Sequence, residues 1–396
     1  MIMAKKKKKL SISHLHWGFP PIIGGVETHL TILLPTLVKM GHKVDLLTGA
    51  FEGEKGRDTY KGVGIFRQPT MDLNWLSKRG ISGLFDEVKA IFKKFIYETK
   101  PDCIHVHNMH YFSKAHALAI EEISIKKSIP LILTAHNVWD DNLFLDLTKN
   151  IKWTHIVAVS HFIKREIIGT GYSHKHIMVI HHGIDQKIFS PKVDPRPVFK
   201  KYPILRRGNV IFHPARMGLA KGCDVSIKAL RIIKDRFPDV VLVLAGTKNI
   251  IDWVQSQQKD IAYMVNLVKF LGLGDNVLID AFPLVDMPKL YAASSVCVYP
   301  SSVSEPFGLT MLEALSSGKP MVVTETGGMP EIIKDGINGF IIPVKDFESL
   351  ASRINCLLGN KELRERLGHT GRQMVEQQYT KEIVAENTLR LYKKFC

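Results

Sequence analysis

Short apolar runs alternate along the chain with longer stretches in which apolar residues recur every three to four positions. Ile12–His16, Lys43–Thr48, Cys103–Val106, Leu131–Ala135, Ile156–Ser160 and Met178–Ile180 read as strands. Between them, Val26–Met40, stopped by Gly41, and Leu84–Thr99 read as helices. Strands that are apolar on both faces and separated by helices indicate a parallel sheet covered on both sides. The alternation pauses at Ser190–Pro197, where Pro191, Pro195 and Pro197 crowd together, and this segment reads as an interdomain hinge. It restarts with Val210–His213, Val240–Ala245, Val277–Ile279, Val296–Tyr299, Met321–Val323 and Gly339–Ile342. The chain therefore reads as two doubly wound α/β, Rossmann-like halves, residues 1–190 and 191–379. Ligands in such sheets bind beyond the carboxyl ends of the strands, which places the expected site in a cleft between the halves.

Composition narrows this little. A length of 396 residues fits two domains, and 45% hydrophobic with 23% charged residues excludes disorder as the main state. No stretch approaches the ~20 apolar residues that span a bilayer. The five cysteines contain no Cys-x-x-Cys pair, so neither a zinc site nor a disulfide framework is expected, and a cytoplasmic location is. The net charge of +16 is less ordinary. Lys5–Lys9 form an unbroken run that reads as a solvated tag or as a peripheral contact with an anionic membrane at its inner face. Leu84–Thr99 carries Leu84, Val88, Ile91, Phe92, Phe95 and Ile96 at helical spacing beside lysines, a face for the core or for a membrane surface.

The densest chemistry lies in residues 301–320, where Glu305, Gly308 and Glu313 flank the start of a helix. A helix N-terminus offers unpaired N–H groups and a positive dipole end, which suits phosphate, and Gly308 lets a ligand approach the backbone. Eight helical residues separate the glutamates by about 12 Å, beyond the ~5–9.5 Å of glycosidase carboxylate pairs. Two separated acceptors suit two separated diols instead. After Val210–His213, Arg216 and Lys221 supply two cations of the kind that stabilise a departing phosphate. On the N-terminal side, Gly24-Gly25-Val26-Glu27 follows the first strand, His105, His107 and Asn108 end another, and His136 and Ser160 close two more. His105 and His107 share one face of a strand, but no cysteine or carboxylate at ligand spacing completes a metal set, so no metal is expected.

Taken together, Glu305-x7-Glu313 with Pro306-Phe307-Gly308-Leu309 inside it resembles the retaining GT-B glycosyltransferases of nucleotide-sugar family 4, over almost the whole chain. The resemblance implies two Rossmann-like domains facing across a cleft, with a last helix after Tyr379-Thr380, about 380–396, crossing back onto the N-terminal one. It implies that Glu305 binds donor-sugar hydroxyls, Glu313 the ribose diol, and Phe307, Gly308 and Leu309 the donor. Arg216 and Lys221 match the family's diphosphate-binding pair, with Ala215 where many members carry glycine. Gly24 and Gly25 match the loop near the donor phosphates, and His136 the histidine at the reaction centre. Glu27, His107, Asn108 and Ser160 fall on the acceptor side. Gly246, Phe282 and Leu284 match segments that frame the base, and Thr326–Glu331 a loop with a weaker ligand contact. The reaction implied is transfer of a hexose-type sugar from a nucleotide diphosphate sugar to an unknown hydroxyl, with uridine the expected nucleotide and guanosine the alternative. The mechanism implied is front-face and metal-independent, with no cofactor. A nucleotide-sugar 2-epimerase on the same fold is the alternative. A basic nucleic-acid-binding protein is the rival from another class, and it lacks the aromatic platforms or reading helix that it would need.

Overall fold

A computed structural model describes residues 8–51, 56–80, 83–246 and 254–396. The chain divides into two compact units. The first runs to His182 and takes back Lys381–Cys396, and the second is Gly183–Thr380.

In the first unit β1 (Ser11–Leu15), α1 (Gly25–Lys39), β2 (Lys43–Gly49), β3 (Gly56–Tyr60) and β4 (Val63–Gln68) come first. They are followed by α2 (Leu73–Arg79), α3 (Leu84–Thr99), β5 (Cys103–His107), α4 (Lys114–Lys127) and β6 (Leu131–Ala135). Then come α5 (Asn142–Asn150), β7 (His155–Ala158), α6 (His161–Gly169) and β8 (Ile177–Val179). The eight strands lie in the order β3-β4-β2-β1-β5-β6-β7-β8. All pairs are parallel except β3 with β4. The sequence pattern does not predict that hairpin. It occupies parts of the stretches Phe51–Thr59 and Phe66–Ser82, which read as acceptor loops, and residues 52–55 and 81–82 of those stretches lie outside the described residues. Helix α3 buries Leu84, Val88, Phe92, Phe95 and Ile96, so its apolar face belongs to the core and is not offered to a membrane.

In the second unit α7 (Arg196–Lys201), β9 (Val210–His213), α8 (Cys223–Arg236), β10 (Val241–Gly246), α9 (Val254–Phe270) and β11 (Val277–Ala281) lead. They are followed by α10 (Met287–Ala293), β12 (Val296–Tyr299), α11 (Leu309–Ser316), β13 (Met321–Thr324), α12 (Met329–Ile332) and β14 (Gly339–Ile342). Helices α13 (Phe347–Gly359) and α14 (Lys361–Gln378) close the unit. Its six strands are all parallel, in the order β11-β10-β9-β12-β13-β14. The last helix, α15 (Lys381–Phe395), packs Val384, Ala385, Leu389, Leu391 and Tyr392 into the core of the first unit beside Leu30, Leu34 and Leu37 of α1.

The unit boundary falls earlier than the expected hinge. From Gly183 onward the chain is already tied to the second unit. Ile184 N–H donates to Tyr379 O (2.8 Å), Arg372 Nη1 donates to Gln186 O and Phe189 O (2.9 Å each), and Ser316 Oγ donates to Phe189 O (2.6 Å). Ser190–Pro197 therefore lies inside that unit. Among the described residues, no helix is long and apolar enough to cross a membrane.

Candidate active site in each unit

In the second unit strand order reverses between β9 and β12, and the loops that leave these two strands carry the expected donor residues. The first loop runs through Arg216 to Lys221 and turns at Gly222 (φ +77°). A Cβ at Gly222 would lie 1.8 Å from Pro300 O, so only glycine lets the two loops close on each other. Ser302 N–H donates to Ala220 O (3.0 Å) and fixes the contact. Lys221 Nζ then reaches Glu305 Oε2 at 2.8 Å, and the Tyr299 hydroxyl donates to the same oxygen. Burial pushes the Glu305 carboxyl up. The Lys221 charge, the hydrogen bonds from Lys221 and Tyr299, and the more distant Arg216 outweigh it and hold the group below its ordinary value. Arg216 itself is exposed.

Glu305 is also clamped through its backbone. Gly328 N–H donates to Glu305 O (2.8 Å), and a Cβ on Gly327 (φ +57°) would come within 2.2 Å of that oxygen. The Thr326–Glu331 loop, read as a weak ligand contact, is thus the support that positions Glu305. Gly308 (φ +82°) opens α11, and Leu309 behind it is buried. Glu313 is buried on the same helix and accepts from the Tyr291 hydroxyl at 2.7 Å. Burial raises its carboxyl to about 7, opposed only by that hydrogen bond. Tyr291, held by Phe212 and Phe189 rings at 5.0 and 5.6 Å, has no signal in the sequence. Two side chains differ from expectation. Phe307 and Phe282 are buried, Phe282 against Tyr202, so neither ring is presented to a ligand, whereas Leu284 is exposed. Gly246 ends β10 opposite Ala281.

In the first unit the strand order reverses between β1 and β5, and the residues there are buried more deeply than a ligand site requires. Glu27, in the first turn of α1, folds back over Gly18 and Gly24, whose Cβ atoms would lie 2.5 and 2.4 Å from its carboxylate oxygens. Its Oε1 meets His16 Nε2 at 2.8 Å. Gly25 next to it faces open space. Asn108 (φ +55°) is buried and accepts from His136 N–H at 2.8 Å. Ser160 caps α6 by accepting from Ile163 N–H at 3.1 Å. Both side chains accept from backbone N–H groups of their own unit.

His136 departs furthest from its expected role. Its Nε2 lies 2.9 Å from His107 Nδ1 and its Nδ1 3.3 Å from His182 Nε2, so both nitrogens are engaged by other histidines. The series continues from His107 Nε2 to His14 Nδ1 (3.0 Å) and from His182 Nδ1 to His29 Nδ1 (3.0 Å). Burial, reinforced by neighbouring histidines, drives their pKa values down, to about 3 for His14 and His29. A neutral imidazole has one donor and one acceptor, so the tautomers along the series are correlated: fixing one fixes the next. The reading of His105 and His107 as lacking a third metal ligand is also corrected. His14, their neighbour on β1, brings a ring nitrogen within 4.8 Å of theirs. However, both His105 ring nitrogens are already engaged, Nδ1 by the Tyr392 hydroxyl at 2.5 Å and Nε2 by the Thr134 hydroxyl at 2.6 Å. His107 likewise has both nitrogens engaged, by His14 and His136, so these rings suit a hydrogen-bonded series better than convergence on one ion.

Both units resemble known proteins. Residues 23–188 match the family model for Glycosyltransferase Family 4, and residues 196–374 that for Glycosyl transferases group 1. An uncharacterised glycosyltransferase of Methanocaldococcus jannaschii is 26% identical over 97% of this chain and 98% of its own. N-acetyl-alpha-D-glucosaminyl L-malate synthase of Bacillus anthracis is 24% identical over 94% of each chain. Among solved structures, a glycosyltransferase from Rickettsia africae superposes with a TM-score of 0.80 at 20% identity, covering 98% of both chains. Anabaena HepE in complex with UDP-glucose does so at 0.78 and 20%, covering 97% of this chain and all of that one.

Proposed function

Because the chain is a glycosyltransferase of the GT-B fold, with halves that match family-4-type models, we propose that it moves a hexose-type sugar from a nucleotide diphosphate sugar to an acceptor hydroxyl. We assign uridine as the nucleotide, supported by the UDP-glucose complex of the similarly folded HepE. One observation carries the proposal: Lys221 and Glu305, from loops after β9 and β12, pair at 2.8 Å where the strand order reverses. A diphosphate bound there meets Lys221 and Arg216, and Glu305 is released to accept from sugar hydroxyls. Glu313 is the acceptor for the ribose diol. As the sugar–phosphate bond breaks, charge grows on the leaving phosphate, and a fixed cation lowers the barrier most at that moment. The leaving phosphate takes the acceptor proton on the face it departs from, so the anomeric configuration is retained. Charge compensation falls to Arg216, Lys221 and the N-terminus of α11 without a metal. The unpaired cysteines favour a reducing, cytoplasmic compartment.

A thermal-shift panel of UDP, GDP and their sugars tests the donor. A true ligand at 100 times its Kd stabilises by about 2.7 kcal/mol. Mass spectrometry of a reaction without acceptor separates the rival chemistry, since an epimerase releases sugar product there and a transferase does not. An inverted anomeric proton signal in the transferred sugar overturns the retaining assignment.

A further inference from the structure

Trp139 is a large aromatic at the carboxyl end of the first unit's sheet that the catalytic reading does not use. Trp139, in the loop after β6, is 52% exposed, although its neighbours in the loop network are held in place. Its ring meets that of Tyr111, from the loop after β5, edge to face at 5.8 Å. Asn108, at the start of the Tyr111 loop, accepts from His136 N–H at 2.8 Å and ties that loop to the one that carries Trp139. His110 completes the packing, with its ring 5.0 Å from Tyr111 and its Nε2 3.0 Å from Asn137 O. A half-exposed indole packed edge to face on a ring from a neighbouring, tied-down loop is pre-organised, and pre-organisation lowers the cost of binding.

We propose that Trp139, backed by Tyr111 and flanked by Asn137, is the platform for a neutral pyranose ring of the acceptor. The proposal rests on the transferase reading for its place in the reaction. A pyranose has an apolar face of C–H bonds and a rim of hydroxyls. The electron-rich face of an indole suits the first, and amide groups at its edge suit the second. The charges around the platform decide between occupants. Asp140 and Asp141 are exposed beside Trp139. Lys114, which opens α4 after the Tyr111 loop, is paired with Asp146 at 3.1 Å. Carboxylates at this rim repel a phosphorylated or carboxylated acceptor, and equally an anionic lipid surface, the other common use of an exposed tryptophan. A neutral sugar carries no such penalty.

The test is saturation-transfer NMR on the full chain with methyl glucopyranosides, methyl mannopyranosides and maltose, alongside malate, glycerol 3-phosphate and phosphatidylglycerol vesicles. UDP binding is measured in the same samples. Expected are saturation of sugar ring protons without any donor, its loss in Trp139→Ala, and partial retention in Trp139→Phe. In turnover, Trp139→Ala raises the acceptor KM roughly 3- to 10-fold and leaves the donor KM unchanged. Sugar signals equal in wild type and Trp139→Ala, or binding to malate, glycerol phosphate or vesicles alone, overturn the platform. If UDP binds and no pyranoside does, the platform falls and the transferase reading stands. If pyranosides bind through Trp139 and no nucleotide does, the reverse holds. Unchanged UDP affinity in Trp139→Ala checks that the variant is folded.

Discussion

Lys221 and Glu305 hold each other in the free protein, which makes the lysine a pre-positioned cation rather than a mobile one. Replacing Lys221 by alanine removes a charge that acts most strongly in the transition state, so kcat falls by at least ~100-fold. Steady-state kinetics with saturating donor check this, and unchanged turnover would remove Lys221 from the phosphate site. Glu313 gives a pH signature. Burial raises its carboxyl to about 7 from an ordinary 4.5. Between those values the folded chain holds a proton that the unfolded chain has released. This group's stabilisation is therefore complete below about 4.5 and lost as pH rises through about 7, on the order of 3 kcal/mol. Ribose hydroxyls donate to the ionised form, so UDP affinity should strengthen about tenfold between pH 6 and 8, following the ionised fraction. Titration calorimetry at the two pH values checks it, and Glu313→Gln should flatten the response.

Elements bring together what the sequence keeps apart. The apolar runs are legible as strands because both faces of β5, β6, β9 and β12 are buried, which leaves short, mostly apolar runs. The β3–β4 hairpin is not, because Gly56-Arg-Asp-Thr-Tyr60 has no apolar alternation. Its turn uses Lys61 (φ +50°) and Gly62 (φ +87°) in place of the Asn-Gly that signals such a turn. On the donor side the motif spacing is legible because Arg216, Lys221, Glu305 and Glu313 lie on loops and one helix following two adjacent strands. The histidines can be read only singly, since their series depends on β1, β5, β6 and the segment at His182 being neighbours in space. Nor can spacing show that Gly327 matters through Glu305. Gly327→Ala places a methyl group in a left-handed backbone position and against Glu305 O, so that loop must move. Donor KM should rise several-fold while the UDP-independent fold, followed by circular dichroism, persists. An unaltered donor KM would show that the loop does not position Glu305.

At the scale of the whole molecule the two units carry different titration burdens. The first buries His14 and His29 with pKa values near 3, His110, His116 and His155 near 4, and His105, His107, His136 and His182 also well below 6.5. Desolvation is the leading cause in each case. In the second, His213 near 3 is the one such histidine among the described residues, and Glu313 shifts the other way. A histidine depressed on folding stabilises fully above about 6.5, and the contribution is lost as pH falls toward the folded value, because the unfolded chain binds the proton first. Most of these imidazoles lie in the first unit, so their protonation sets the acid response of that unit. Between pH 7.5 and 5, amides of β5 and β6 should therefore lose hydrogen-exchange protection, corrected for intrinsic rate, before those of β9 and β12. UDP should widen the gap by protecting only the second set. Simultaneous loss in both sheets would mean that the buried imidazoles do not set the acid stability of the first unit.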